Sequence, residues 1–273
     1  MPKVLAREMV ERYHREGVLF PIPALSATEV GRFRAAFFEL EARLGGKPSA
    51  QQLSQTHLYF RWAYDLATHP SVLDAVENIL GPNILIWTVS IFPKHAHDPA
   101  YISWHQDGTY WGLSSTQVTT AWIALTESTV ENGCMRVVKG SHARSILPHV
   151  ETWAPNNLLS RGQEVQVEVA EEDATDVVLR AGEMSLHHVN IIHGSNPNRS
   201  DGRRVGFAIR FITPDVSQVG ERPQAVLARG RDDHHHFELL PKPPDGSLED
   251  AVAAQAAAAR RLLDALTKTR AAG

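Results

Sequence analysis

The chain has 273 residues, of which 43% are hydrophobic, with a formal net charge of −4 and a single cysteine, Cys134. This size allows a large buried core, the acidic balance argues against a general nucleic-acid binder, and one thiol permits neither an intrachain disulfide nor a thiolate metal cluster. No run approaches the ~20 apolar residues of a membrane span, and residues 1–20 have the pattern of an amphipathic helix without a signal-peptide core, so we expect a cytoplasmic protein with neither nucleic-acid nor membrane partners.

Helical patterns dominate the first third of the chain. Apolar residues at helical spacing predict a first helix that ends at Gly17. Ser26 and Glu29 have the spacing of a capping box, which predicts the start of a second helix. A third helix is predicted around residues 71–80, ahead of a Gly-Pro stop. The Ala-rich tail from Leu248 onward is predicted to be helical as well.

From residue 83 the pattern changes to short runs rich in β-branched and aromatic residues, separated by Gly, Pro, Asn and Asp. Many short strands at regular spacing predict a sandwich or barrel. The predicted strands are Ile84–Phe92, Val118–Leu125, Met135–Val138, Val165–Val169, Val177–Leu179, Met184–Ile192 and Val205–Ile212.

The organisation predicts one domain over residues 1–273, because the sequence contains no internal repeat and no long linker. Within it we expect N-terminal helices over 1–82, a β core at about 83–215 and a C-terminal extension over 216–273. Prolines and an Asn-Asn pair indicate a long irregular insertion at 143–164.

A metal-ligand pattern occurs at His105 and Asp107. Residues two apart on an extended chain point to the same face, so both side chains can reach one ion. The run that ends at His193 offers a third ligand. Two imidazoles and one carboxylate leave three positions of an octahedron open, which is typical of non-haem iron(II) oxygenases.

An arginine is predicted to accompany this metal site. The turn-rich segment after His193 separates two apolar strands and predicts a hairpin, in which Arg204 lies opposite His193. By alternation Arg204 and Arg210 share the inner face with His187, while Arg203 points away. A guanidinium near the metal suits the far carboxylate of a dicarboxylic cosubstrate.

Several motifs together resemble the phytanoyl-CoA dioxygenase family, over roughly residues 10–215. They are Gly17-Val18 with the capped helix after it, Gly81-Pro82-Asn83, Trp104-His105-Gln106-Asp107, Ala121-Trp122, Asn132-Gly133-Cys134-Met135, Gly140-Ser141-His142, and His193-Gly194-Ser195 through Arg204.

The resemblance implies a mainly β fold with flanking helices and a double-stranded β-helix (jelly-roll, cupin-like) core. It also implies an enzyme that uses Fe(II), 2-oxoglutarate and O₂. His105, Asp107 and His193 match the family's iron ligands, and Arg204 matches the arginine that binds the 2-oxoglutarate carboxylate. Three further residues match positions that contact the cosubstrate, namely Gln106, Trp122 and Ser195.

The resemblance further implies hydroxylation of an unactivated C–H bond in a small-molecule metabolite. Halogenating relatives have a small residue at the position of Asp107, so a hydroxylase is expected and not a halogenase. Aromatic and cationic residues predict a pocket for a polar amine- or phosphonate-type substrate. The candidates are Tyr110, Trp111, Arg61 within the run Tyr59–Trp62, His187 and Arg210.

Three alternatives stay open at this point. The first is another metal-dependent jelly-roll enzyme that does not use 2-oxoglutarate and does not need Arg204. The second is a biosynthetic oxygenase acting on a CoA- or carrier-bound acyl group. The third is a jelly-roll binding protein without catalytic activity.

Overall fold

The helices gather at the start of the chain in the computed structural model, which describes residues 4–109, 111–159, 163–166, 169–219 and 223–258. They are α1 (Arg7–Glu16), α2 (Ala27–Arg43), α3 (Arg61–Ala67) and α4 (Pro70–Leu80), and a later helix covers residues 248–258. The predicted capping box of α2 is confirmed, because Ser26 accepts a hydrogen bond from the Glu29 N–H while the Glu29 carboxylate accepts one from the Ser26 N–H. Within the described ranges no helix combines the length and apolarity needed to cross a bilayer.

The described residues also form thirteen strands. They are β1 (Val18–Pro23), β2 (Ile84–Lys94), β3 (Ile102–His105), β4 (Val118–Ala124), β5 (Met135–Val138), β6 (His149–Glu151), β7 (Gln163–Val165), β8 (Ala174–Val177), β9 (Glu183–His188), β10 (His193–Ser195), β11 (Arg204–Ile212), β12 (Gln224–Arg229) and β13 (Glu238–Leu239).

Two facing sheets form the body of the fold. The large sheet has the strand order β1-β9-β4-β11-β2-β12-β13, and the small sheet has the order β3-β10-β5-β8. All neighbours are antiparallel except β12 and β13. Strands that are adjacent in space are distant in sequence, as in a jelly roll. The predicted mainly β fold with a double-stranded β-helix core is therefore confirmed.

The alternation of β11 shows how the large sheet divides the molecule. Val205, Phe207, Ile209 and Phe211 lie on its outer face, where they are fully buried in one core cluster with residues of the helices. The intervening residues face the small sheet, among them Ala208, which packs in a second cluster with residues of both sheets. Because strand side chains alternate, one strand supplies both the main core and the wall of a cavity.

The β core is wider than the predicted residues 83–215. β1, inside the N-terminal helical region, pairs with β9, and β12, inside the C-terminal extension, pairs with β2. The insertion at 143–164 is not wholly irregular, because β6 and β7 form an antiparallel pair there. Of the predicted strand 165–169, only Val165 lies in a strand, as the last residue of β7. Residues 167 and 168 lie outside the described ranges.

The predicted hairpin between His193 and Arg204 is wrong. The expected strand 184–192 ends at His188, and the chain then crosses to the small sheet, where β10 pairs with β3 and β5. β11 instead pairs with β2 and β4 in the large sheet. His193 and Arg204 thus face each other across the sandwich and are not neighbours in one sheet.

Candidate metal centre

Three side chains converge on the inner face of the small sheet. His105 ends β3 and lies directly opposite His193 of β10, with ring centroids 4.1 Å apart. Asp107 lies just beyond the strand, at the start of a 3-10 turn, and its Oδ1 is 3.3 Å from His105 Nε2. The ligand atoms of the three lie within 4.8 Å of one another, a geometry that can hold one metal ion. Their exposed fractions are only 5%, 8% and 9% for His105, His193 and Asp107.

The two imidazoles are oriented by the backbone. His105 Nδ1 lies 2.9 Å from the Ser103 carbonyl oxygen, and His193 Nδ1 lies 3.0 Å from the Ile191 carbonyl oxygen. A carbonyl only accepts, so each Nδ1 carries the proton and donates it. Each Nε2 is then left with a free lone pair, which is the state a metal ligand requires.

The protonation states also suit a divalent cation. Burial lowers the pKa of His193 to about 4, and the charge of His105 acts in the same direction, so the ring is neutral at pH 7. Burial raises the pKa of Asp107, but the neighbouring side chains of His105, His193 and Arg210 outweigh it and hold that pKa below its usual range. Two imidazoles and one carboxylate form a donor set suited to iron(II).

A cavity between the sheets opens over these three residues. Its lining includes the three candidate ligands, and also Phe92, Ile102, Thr120, Trp122, Met135, Leu159, His187, Gly194, Ser195, Arg204, Ala208 and Arg210. A second cavity adjoins it and shares Phe92 and Leu159 as lining residues. These two side chains therefore lie between the two cavities.

Two buried basic side chains lie side by side at one end of this cavity. Arg204 and Lys94 are directly opposed on β11 and β2, and their exposed fractions are 2% and 0%. The Arg204 guanidinium donates to the carbonyl oxygens of Gly133 and Phe92, and its Nε has no partner. Neither side chain forms an ion pair with a carboxylate of the described residues. Burial lowers the pKa of Arg204 to about 10.

Lys94 was missed by the sequence analysis. Its Nζ donates to Ser195 Oγ at 2.7 Å and to the Asn196 carbonyl oxygen. Burial, reinforced by the charge of Arg204, lowers the pKa of Lys94 to about 6, so without an anion beside it the amine is largely uncharged at pH 7. The signal that could have revealed it is a lysine two residues beyond Phe92, at the end of a strand otherwise predicted as apolar.

Trp122 and Ser195 both line the cavity, as expected for cosubstrate contacts. The Arg204 guanidinium lies over the Trp122 ring at 5.4 Å, and the indole occupies the space that a side chain at position 206 would fill. Gly206 is therefore required for the close approach of Trp122 to β11.

Gln106 does not line the cavity, in contrast to the prediction from the resemblance. It is fully buried, and its side chain donates to the Asn190 carbonyl oxygen and accepts from the Leu147 N–H, both at 2.8 Å. Alternation turns this side chain away from His105, so it joins two loops instead of contacting a ligand in the cavity.

The predicted substrate-pocket residues fall into three groups. His187 and Arg210 line the cavity. Trp111 is not among the residues that line the cavity, but it contacts Arg210, which does line it, and Trp87. Tyr110 lies outside the described residues.

The prediction for Arg61 and its aromatic neighbours is wrong. Arg61 forms ion pairs with Asp65 and Asp245, and Trp62 packs against Phe207. Phe207 is on the outer face of β11, so the whole segment lies on the far side of the large sheet from the candidate metal centre. The aromatic pattern of α3 reflects packing on that sheet.

Comparison with known proteins identifies relatives along most of the chain. The family model described as phytanoyl-CoA dioxygenase (PhyH) matches residues 13–206. A "probable alpha-ketoglutarate-dependent hypophosphite dioxygenase" from Stutzerimonas stutzeri is 31% identical over 171 residues, 61% of this chain and 58% of the relative. The peroxisomal phytanoyl-CoA dioxygenase of Homo sapiens is 28% identical over 158 residues, 56% of this chain and 46% of the relative.

These matches span about half the length of the curated relatives. Among solved structures, one described as "non-heme monooxygenase; ThoJ apo" superposes with a TM-score of 0.80 and 33% identity, covering 93% of this chain and 95% of that one. A structure described as the non-heme alpha-ketoglutarate-dependent carbocyclase SnoK superposes with a TM-score of 0.64 and 26% identity, covering 89% and 95%.

Proposed function

This chain belongs to the phytanoyl-CoA dioxygenase family, and from that premise we propose that it is an iron(II)- and 2-oxoglutarate-dependent hydroxylase of a small molecule. The observation that carries the proposal is the convergence of His105, Asp107 and His193 at the cavity between the sheets. Relatives whose names state alpha-ketoglutarate dependence support the same reaction class.

The donor atoms fit iron(II). Both Nε2 lone pairs are free because the Nδ1 atoms are occupied by backbone carbonyls, and Asp107 is ionised. Three protein ligands leave three coordination positions for cosubstrate and O₂. Since Asp107 fills the third protein position, no vacancy is provided there for a halide, which favours hydroxylation over halogenation.

Arg204 and Lys94 fit the distal carboxylate of 2-oxoglutarate. Arg204 is a buried charge without a carboxylate partner among the described residues, and burying an unpaired charge costs free energy. A dicarboxylate that reaches from the metal to this end would compensate Arg204 and would favour the protonated form of Lys94 beside it. Ser195 contributes a hydroxyl whose oxygen already accepts from Lys94, so its own hydrogen is free to point at the ligand.

Bound iron and 2-oxoglutarate would supply the oxidation, in which O₂ oxidises the substrate C–H bond and 2-oxoglutarate becomes succinate and CO₂. The chain's own residues orient the cosubstrate and keep water away from the centre. Arg204 and Ser195 fix the cosubstrate at one end, while Trp122, Met135 and Ala208 form apolar walls that exclude water from the centre.

Anaerobic titration with Fe(II) and 2-oxoglutarate tests the proposal. We expect a weak visible charge-transfer band that needs both components, followed in air by substrate-dependent succinate release and a product heavier by one oxygen. Iron binding without the band would contradict a role for 2-oxoglutarate, and another metal-dependent jelly-roll enzyme would be the remaining alternative. Failure to bind iron would make a jelly-roll binding protein without catalytic activity the remaining alternative.

Replacing Lys94 with methionine is expected to weaken 2-oxoglutarate binding by about tenfold or more, because a hydrogen bond to a charged group is lost and Ser195 loses its orientation. Pyruvate has no distal carboxylate, so its affinity should stay unchanged. The measurement is the anaerobic charge-transfer titration with each 2-oxo acid. Lys139→Met, which removes a surface lysine paired with Glu16, is the control. An equal loss for pyruvate would show that Lys94 acts only through the metal site or the fold.

We also propose that a single domain carries this site, since strands from residues 18–239 build the large sheet. The substrate is proposed to be a small molecule, as the names of the relatives suggest. The cytoplasmic location and the absence of nucleic-acid and membrane partners stay predictions of the sequence.

A further inference from the structure

Three polar residues form a row across the large sheet at the cavity end opposite Lys94. His187 on β9 is directly opposed to Thr120 on β4, and Thr120 is directly opposed to Arg210 on β11. All three side chains line the cavity. Directly opposed residues share a face, so the three functional groups are presented side by side.

Each member of this row carries a buried polar atom without a hydrogen-bond partner. These atoms are His187 Nδ1, Thr120 Oγ1 and Arg210 Nε. Buried polar groups are nearly always satisfied in folded proteins, so three unsatisfied atoms in one row indicate a place built for a ligand. All three groups are able to donate a hydrogen bond.

Arg210 also lacks a compensating charge. Its guanidinium donates to Ser90 Oγ at 2.8 Å and lies over the rings of Phe92 and Trp111, and it forms no ion pair with a described carboxylate. Other partly buried arginines are paired: Arg136 with Glu171 and Asp176, Arg203 with Glu41, and Arg229 with Asp74 and Glu77. The carboxylate whose charge acts on Arg210 is Asp107, which the proposed function assigns to the metal.

The two arginines of the cavity are too far apart for one cosubstrate carboxylate to serve both. Arg204 and Arg210 are six residues apart on one strand, which corresponds to about 20 Å along it. With iron, Asp107 and a doubly charged cosubstrate bound at the other end, the positive charge of Arg210 is still uncompensated. A cationic substrate would add to this charge, and an anionic one would cancel it.

We propose that Arg210, Thr120 and His187 form an oxyanion-binding subsite for the molecule that is oxidised, which therefore carries a carboxylate or a phosphorus oxyanion. This inference rests on the proposed function, because it assigns the other end of the cavity to 2-oxoglutarate. The His187 and His193 ring centroids are 5.1 Å apart, so an anion held by the row lies beside the candidate metal ligands. The oxidised bond then lies within a few atoms of the anionic group.

The test is isothermal titration calorimetry on the anaerobic protein loaded with Fe(II) and 2-oxoglutarate. The probes are hypophosphite and methylphosphonate for phosphorus oxyanions, propionate for carboxylates, and propionamide as the neutral match of propionate. We expect saturable binding of at least one anion class and no binding of propionamide. The class that binds shows whether the subsite takes a carboxylate or a phosphorus oxyanion. Anions that bind only in competition with 2-oxoglutarate, equal binding of propionate and propionamide, or no binding of any anion would each overturn the subsite.

Variants locate the binding within the row. Arg210→Met should weaken anion binding by at least about 30-fold, and Thr120→Val, which keeps the shape and removes the hydroxyl, by about threefold to tenfold. Arg203→Met removes an arginine on the outer side of the large sheet, where it pairs with Glu41, and should leave anion binding unchanged. Retained anion affinity in Arg210→Met overturns the proposal.

The charge-transfer band separates this inference from the proposed function. Arg210→Met should still develop the band, with the same affinity for 2-oxoglutarate as the wild type. A loss of 2-oxoglutarate affinity would show that Arg210 binds the cosubstrate, and this would overturn the subsite. If the wild type develops no band, the proposed function fails, whereas an anion-binding heat that disappears in Arg210→Met still supports the subsite.

Discussion

Replacing Asp107 with alanine is expected to abolish the metal-dependent behaviour of the protein. The variant keeps the two imidazoles but loses the carboxylate that would balance the charge of the ion, in a site where all three residues are nearly buried. Removing one charged partner from a buried pair costs about 3–5 kcal/mol, so metal affinity should fall by at least about 100-fold. Succinate release should fall by the same factor or more.

Thermal unfolding with and without metal measures this effect apart from catalysis. Metal at about 100 times its Kd stabilises the wild type by about 2.7 kcal/mol, and the shift in Tm should disappear in Asp107→Ala. Asp201→Ala is the control, because Asp201 is a fully exposed carboxylate that also contacts a histidine, His97, and neither residue lines the cavity over the candidate metal centre. A metal-induced shift that survives in Asp107→Ala would place the ion elsewhere.

Replacing Arg204 with methionine is expected to remove 2-oxoglutarate binding while metal binding is retained. The guanidinium is buried, faces the cavity and is held by the Gly133 and Phe92 carbonyl oxygens, so its orientation is fixed before the ligand arrives. Truncating one side of a buried, hydrogen-bonded charge pair costs about 2–5 kcal/mol. The dissociation constant for 2-oxoglutarate should therefore rise by at least about 30-fold.

Arg203→Met is the matched control for this variant as well. It removes an arginine one residue away, on the opposite face of the strand, where Arg203 pairs with Glu41. The control should bind 2-oxoglutarate normally and lose only stability. Arg204→Lys should recover part of the affinity, because lysine restores the charge but not the bidentate fork. Equal affinities of Arg204→Met and the wild type would refute the assignment of this end to the cosubstrate.

Local patterns in the sequence predict the elements well. The capping box at Ser26, the stop at Gly17 and the alternation of residues 205–211 each depend on neighbours in the chain, and the structure contains all three. The candidate ligands His105 and Asp107 are also close in sequence, although Asp107 lies on a turn and not on the strand.

Pairing between distant strands could not be predicted in the same way. The segment after His193 has the composition of a hairpin, but its two flanking strands belong to different sheets, because β10 finds its partners at His105 and Val137. The importance of Lys94 depends on its register with Arg204, and that register follows from the whole sheet. The aromatic residues near Arg61 were predicted to line the substrate pocket but pack on the outer face of the large sheet. The sequence does not distinguish these places, because either face of a sheet can bury aromatic side chains.

Gln106 illustrates a conflict between two kinds of inference. Alternation predicts that it faces away from His105, whereas the family resemblance implies a contact with the cosubstrate. The structure follows alternation, with the amide bound to Asn190 and Leu147. Backbone geometry is therefore the safer guide where the two disagree at a single position.

The alternation of β11 has a consequence for how such an enzyme diversifies. Its outward residues are committed to the helical core, and Arg204 stands at one end of its inward set while Arg210 stands at the other. Substitutions at position 210, and at positions 120 and 187 in the same row, can alter which molecule is accepted while the outward residues that hold the helical core stay unchanged. Saturation libraries confined to these three positions are accordingly the economical starting point for redirecting the enzyme to new substrates.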